Sequence, residues 1–231
     1  MRLTLQTIPS PLISEILCLE DIDGIILDTE HGIFNLENLC SCIQVINLKS
    51  KLCFVRVTEF NKTLIRNVLD SGADGIVFST IEEAFGHQHL ISYCNYPINY
   101  GKRGCGLTRE NDWGLKPLGV KKPIIIAQIE TIDAMENLDY ICKSNFDYFF
   151  VGPYDLSNSL RVPGDFTNSS FKNSLEIIYQ SIPKEKLGIF IPTSENALSL
   201  KDHLKNYSIY VVGMDTHFIS LGLRNLNMKL Q

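Results

Sequence analysis

Four side chains in this sequence have the types that proton transfer and charge stabilisation need: His31, Arg56, Glu130 and Asp155. Glu130 and Asp155 end two successive apolar runs, 25 positions apart. Two carboxylates brought into one pocket repel unless a cation or a proton sits between them. An oxygen-only donor pair with no nearby Cys or His suits Mg²⁺ or Mn²⁺, with Co²⁺ as the next option, rather than structural zinc. The structural alternative is that each acid caps the helix after it, Asp155 before Leu156-Ser157 being the clearer case.

His31 follows the run Gly24–Thr29 and has Asp28 and Glu30 beside it. An imidazole with an unperturbed pKa near ~6.5 can move protons at neutral pH; a hydrogen-bonded loop histidine is the competing expectation. His87, His89, His203 and His217 fall on helix-like surface segments and are expected to be structural. Arg56 lies inside Phe54-Val55-Arg56-Val57, and a buried charge there must meet an internal carboxylate or a substrate anion. No predicted strand contains a lysine, which removes the usual nucleophile of a Schiff-base aldolase. Carbon–carbon chemistry on a carbonyl compound would then need a metal as its electron sink.

These residues need a frame that brings strand ends together. Eight short apolar runs are predicted as strands: Leu3–Thr7, Gly24–Thr29, Cys53–Thr58, Gly75–Ser79, Ile124–Glu130, Tyr148–Gly152, Leu187–Ile191 and Tyr210–Met214. Helical periodicity separates them. Asn35 caps a helix carrying Leu36, Leu39, Cys40, Ile43 and Ile46; Asn61 caps one carrying Leu64, Ile65, Val68 and Leu69, closed by Gly72. Further helices are predicted at Asp133–Lys143, Phe85–Tyr93, Phe171–Ser181, Ser194–Lys205 and Phe218–Leu230. Residues 98–122 read as a loop, with Trp113 packing it down and Lys102 and Arg103 free to hold an anion. The alternation implies a parallel sheet, either an open doubly wound one or a (β/α)8 TIM barrel. Ile8-Pro9-Ser10-Pro11 follows the first strand and no glycine-rich phosphate turn occurs, which favours the barrel, spanning 1–231 as one domain. Barrel chemistry sits at the C-terminal strand ends. There the sequence places Asp28-Thr29-Glu30-His31, Arg56, Ser79-Thr80, Gln128 and Glu130, Gly152-Pro153-Tyr154-Asp155, Thr193 and Asp215.

Composition narrows the classes. The 231 residues are 45% hydrophobic with a net charge of −5, which supplies a large core and argues against a nucleic-acid binder. No apolar run approaches the roughly 20 residues of a membrane span. Seven scattered cysteines with no CxxC read as reduced thiols, and the N-terminal segment lacks the apolar core of a secretion signal; the expectation is a cytoplasmic protein.

ILDTEHG at 26–32, FVRV at 54–57, IAQIET at 126–131 and VGPYDLS at 151–157 resemble the HpcH/HpaI aldolases, metal-dependent class II aldolases of 2-oxo acids. The likeness runs from IPSP at 8–11 to VGMDT at 212–216. It implies a (β/α)8 barrel assembling as a hexamer of dimeric units. By resemblance, His31 is the acid/base at the substrate hydroxyl, Arg56 stabilises the developing oxyanion, and Glu130 and Asp155 ligate the metal. Gln128 and Tyr154 are substrate contacts, the latter through its backbone N–H. Asp70 matches an aspartate that raises the basicity of the histidine; ending a helix, it would have to reach His31 from another subunit, and Asp28 is the local alternative. Ser79 stands where many members have proline. The implied reaction joins or releases pyruvate and an aldehyde. A CoA-thioester lyase like the citrate lyase β relatives is the alternative enzyme, using Lys102, Arg103, Lys121 and Lys122 for the CoA phosphates. A catalytically silent barrel binding a 2-oxo acid is the non-enzymatic one.

Overall fold

A computed structural model describes residues 1–58, 61–82 and 87–230, with the side chain of His87 outside that set. Eight strands, β1 (Arg2–Gln6), β2 (Gly24–Asp28), β3 (Leu52–Val57), β4 (Gly75–Phe78), β5 (Ile124–Ile129), β6 (Tyr148–Val151), β7 (Leu187–Ile191) and β8 (Ile209–Met214), pair in chain order into a closed, all-parallel barrel. The (β/α)8 architecture is therefore present. The helices are α1 (Pro11–Cys18), α2 (Leu36–Leu48), α3 (Lys62–Asp70), α4 (His87–Cys94), α5 (Ile132–Glu136), α6 (Leu138–Lys143), α7 (Pro153–Ser159), α8 (Ser169–Ser181), α9 (Ser194–Ser199), α10 (Lys201–Leu204) and α11 (Asp215–Lys229).

Alternation along each strand builds two cores. Ile25, Leu27, Cys53, Val55, Ile76 and Ala127 face outward and pack under the helices. Leu3, Leu5, Ile26, Phe54, Val77, Ile126, Phe150 and Phe190 fill the interior. Two residues further along, the same inward columns turn polar: Ile26 leads to Asp28, Phe54 to Arg56, Ile126 to Gln128 and then Glu130. The apolar plug thus closes the lower barrel, and charge collects at the C-terminal mouth.

The caps form as the sequence predicts. Asn35 accepts from the Asn38 N–H at 2.8 Å, Asn61 from that of Leu64 at 3.0 Å, and Gly72 follows α3 at φ +100°. The helix predicted over 133–143 is two, broken where the Asn137 amide donates to the carbonyls of Glu82 and Asp133. The one predicted over 194–205 likewise breaks at Leu200. The predicted start of α4 at Phe85 lies outside the described residues. α1 and α7 escaped the periodicity because each is about two turns long; Pro11 and Pro153 at their starts were the available signals.

Residues 98–122 are more ordered than their glycines suggest. Short 3₁₀ turns lie at Pro97–Asn99 and Arg109–Gly114. Arg103 is 3% exposed and pairs with Asp70 at 2.6 Å and Glu110 at 3.1 Å, its guanidinium 4.4 Å from the centre of the Tyr96 ring. It is a buried clasp, not a free anion site. Trp113, expected to pack the loop, is exposed. All seven cysteines are free thiols. Among the described residues, no helix is long and apolar enough to cross a membrane.

Candidate active site

The β2–β3 register sets Asp28 opposite Arg56, both pointing inward. Arg56 Nε donates to Asp28 Oδ1 at 2.9 Å and Nη2 to Oδ2 at 2.7 Å, and Nη1 lies 3.1 Å from Glu30 Oε2. Asp28 is fully buried and Arg56 nearly so. Burial opposes the charge on Arg56; the hydrogen bonds and charge of Asp28 more than offset it and hold the guanidinium above its ordinary pKa. The internal ion pair therefore exists, yet two of the five guanidinium N–H groups go to Asp28 and the side chain still lines the mouth. Asp28 is fully engaged: Oδ1 also accepts from the backbone N–H of Glu30 and His31 at 3.0 and 3.4 Å. It fixes the loop carrying His31 rather than the imidazole.

Glu130 follows β5 and is 3% exposed. Its Oε1 accepts from the Thr80 N–H at 2.7 Å and the Thr80 hydroxyl at 3.2 Å; Oε2 accepts from the Gln128 amide. Thr80 presents that N–H from φ +54°, a left-handed conformation that strains a β-branched residue. Burial pushes the Glu130 carboxyl up to about 7; the Thr80 N–H opposes this, and the charges of Asp155 and Glu30 add to it. Gly152 makes the arrangement possible. A Cβ there would stand 2.7 Å from Glu130 Oε2 and 3.0 Å from Gln128 Nε2. Asp155 lies in the first turn of α7, whose N-cap is Gly152, so Asp155 is not the capping residue.

A cavity of ≈ 390 Å³ opens at the barrel mouth, lined by His31, Arg56, Gln128, Tyr154 and Asp155 on one side. Phe190, Pro192, Thr193, Met214 and His217 line the other. Gln128 is 1% exposed and its Oε1 has no hydrogen-bond partner among the described residues. Tyr154 is half exposed and packs edge-on against Phe166. Glu130 stands behind Gln128 rather than on the wall.

Two expected mouth residues have other tasks, and Asp70 lies away from the mouth, as its place at a helix end implied. Asp215 is buried, accepting from the Thr7 hydroxyl at 2.7 Å and the Thr7 and Ile8 N–H groups at 3.0 and 2.8 Å; it ties α11 to the end of β1. Thr193 caps α9. Asp70 ends α3, which leads into the start of β4, so it lies toward the face opposite the mouth, bound to Arg103. Conversely His217, expected to be a surface residue, lines the cavity. Glu30 and Thr80 also hold parts that their sequence neighbourhood did not assign.

Among the described residues no cluster of three or more His, Cys, Asp or Glu could cage a metal ion. A two-carboxylate site still fits a hard cation that completes its shell with water and substrate oxygens. The donor chemistry agrees: Asp28, Glu30 and Glu130 act on the Arg56 guanidinium, Asp155 acts on Glu130, and Gln128 Oε1 is an unclaimed neutral oxygen.

A (β/α)8 barrel with charge gathered at its C-terminal mouth has the arrangement in which barrel enzymes place their chemistry. A family model described as HpcH/HpaI aldolase/citrate lyase matches residues 8–216. The chain belongs to that family, and it is a carbon–carbon lyase of the aldolase type. It is 27% identical over 207 residues to a 4-hydroxy-2-oxovalerate aldolase of Rhodococcus jostii, covering 86% of this chain and 79% of that one. A 2-keto-3-deoxy-L-rhamnonate aldolase of Salmonella paratyphi A is 28% identical over 220 residues, covering 92% and 82%. Among solved structures, an HpcH/HpaI aldolase/citrate lyase family protein of Burkholderia cenocepacia superposes with a TM-score of 0.88 at 21% identity, covering 100% and 94%.

Proposed function

We propose that the chain is a divalent-metal-dependent aldolase that cleaves or forms 4-hydroxy-2-oxo acids from pyruvate and an aldehyde. The observation carrying this reading is the charge balance of the mouth. Glu130 is buried with its carboxyl raised to about 7, near Asp155 and Glu30, and the Arg56 charge beside them is already paired to Asp28. Such a site binds a proton or a cation. The names of the two relatives support 2-oxo acid substrates.

Glu130 and Asp155 would hold Mg²⁺ or Mn²⁺, which supplies Lewis acidity toward the 2-oxo acid oxygens. Arg56, fixed by Asp28, presents its remaining N–H groups to the oxygen that gains negative charge, a preorganised stabiliser. His31, at the edge of the cavity, takes or returns the proton of the 4-hydroxyl. Gln128 and the Tyr154 N–H orient the substrate. Asp70 acts on His31 only from a neighbouring subunit, since in its own chain it faces away and pairs with Arg103. A CoA-thioester lyase is less well supported, because Arg103 and Lys121 are bound to Asp70 and Asp74.

The test is aldol formation from pyruvate and a panel of aldehydes, with and without added divalent metal, read by product mass. Activity should vanish reversibly in chelator and fall strongly in Asp155→Asn with the fold intact. Full activity after exhaustive chelation would overturn the metal-dependent reading.

A further inference from the structure

The cavity has two unlike walls. The side formed after β2, β3, β5 and β6 carries the charged and amide groups assigned above. The side formed by β7, β8 and the start of α11 is apolar, from Phe190, Pro192 and Met214, apart from Thr193 and His217. The Thr193 hydroxyl is spent within its own turn, contacting Asn196 Oδ1 at 2.9 Å and the Asn196 N–H at 3.2 Å. His217 Nε2 is different. It is buried and has no hydrogen-bond partner among the described residues. A buried polar nitrogen left unpaired is destabilising, and because His217 lines the cavity, a turn of its ring onto a substrate oxygen would satisfy it.

The position is also held firmly. His217 is the third residue of α11, and the first, Asp215, is clamped by Thr7 and Ile8. The imidazole therefore projects from a fixed turn rather than a free surface helix. With Asp155, Arg56 and Gln128 on the other wall and Glu130 behind Gln128, the 2-oxo acid half of a substrate belongs there under the aldolase reading. The half derived from the aldehyde then extends toward β7 and β8.

We propose that His217 is a specificity-determining residue that hydrogen-bonds an oxygen on the aldehyde-derived portion, so that the enzyme favours short hydroxyaldehydes over plain alkyl aldehydes. The inference deepens the aldolase reading and rests on it. A site built around a polar group rejects the analogue lacking its partner far more strongly than an apolar pocket rejects an extra hydroxyl.

The experiment compares glycolaldehyde with acetaldehyde as acceptors for pyruvate, with Mg²⁺, in the wild type, His217→Leu and His217→Gln. Wild-type kcat/KM should be higher for glycolaldehyde. In His217→Leu that preference should shrink about tenfold or more, mainly through the KM for the aldehyde, while His217→Gln, which keeps an N–H donor, should retain much of it. A wild type indifferent to the hydroxyl overturns the proposal without any variant, as does a His217→Leu enzyme that loses both reactions by the same factor. Absence of pyruvate-dependent turnover of every aldehyde by the wild type would instead overturn the aldolase reading itself.

Discussion

At the scale of single residues, Arg56 and Glu130 are the buried charges to which the proposed chemistry gives a role at the mouth. Asp28 grips Arg56 in a two-point fork that a lysine cannot reproduce. Arg56→Lys should lower kcat by at least about 10²-fold, the usual cost of losing one preorganised oxyanion stabiliser, and should also lower Tm. A Tm loss with kcat intact would make Arg56 a structural ion-pair partner alone. Glu130 carries a pH signature. Its carboxyl sits at about 7 against an ordinary value of 4.5. Between those values the unfolded chain has released the proton and the folded chain still holds it, so metal-free stability falls as pH rises through that window. The full effect is on the order of 3 kcal/mol. In chelator, wild-type stability should decline from pH 5 to pH 8 relative to Glu130→Gln, and Mg²⁺ should restore it by favouring the carboxylate. Parallel pH profiles for the two proteins would show that Glu130 titrates normally.

At the scale of elements, the mouth depends on how β4 and β6 end. Thr80 accepts a left-handed backbone so that its N–H reaches Glu130, and Gly152 leaves the space that the Glu130 and Gln128 side chains occupy. The φ of Gly152 is −93°, so the demand there is for volume rather than for a glycine conformation. Gly152→Ala should therefore displace Glu130 and raise the Mg²⁺ concentration for half-maximal activity by about tenfold, with only a small change in Tm. An unaltered metal requirement would mean that Glu130 can move aside without consequence, contrary to its assigned role.

At the scale of the whole molecule, α11 stands out. Of its fifteen residues only Asp215 is buried, while Phe218, Ile219, Leu223, Leu226 and Met228 are exposed. α1 likewise exposes Leu12 and Ile16, and a cavity of ≈ 410 Å³ lined by Ile16, Leu17, Ile22, Val212 and Phe218 joins the two helices. An apolar face of this extent is one that a second copy of the chain would cover. Light scattering after size exclusion should find an oligomer, with six subunits as the expected state, and Leu223→Glu combined with Leu226→Glu should shift it to smaller species. A wild-type monomer at micromolar concentration would count against self-association through this face.

The sequence by itself determined the order and kind of the main elements, because the periods of 2 and 3.6 are local properties that burial on one side imposes on each segment. It also determined which columns end in charge: Asp28 two places after Ile26, Arg56 after Phe54, and Gln128 and Glu130 after Ile126. Only the tertiary structure decided what those charges meet. Asp28 finds Arg56 through the β2–β3 register, and Glu130 finds Thr80 fifty positions away, contacts that no periodicity encodes. Closure of the barrel gave Asp70, already expected at the far end, Arg103 as its partner, spent Asp215 on joining α11 to β1, and brought His217 to the mouth. A strand end looks the same in sequence whether its side chain is used for catalysis or for closing the fold. The difference lies in which distant groups the closed sheet sets against it.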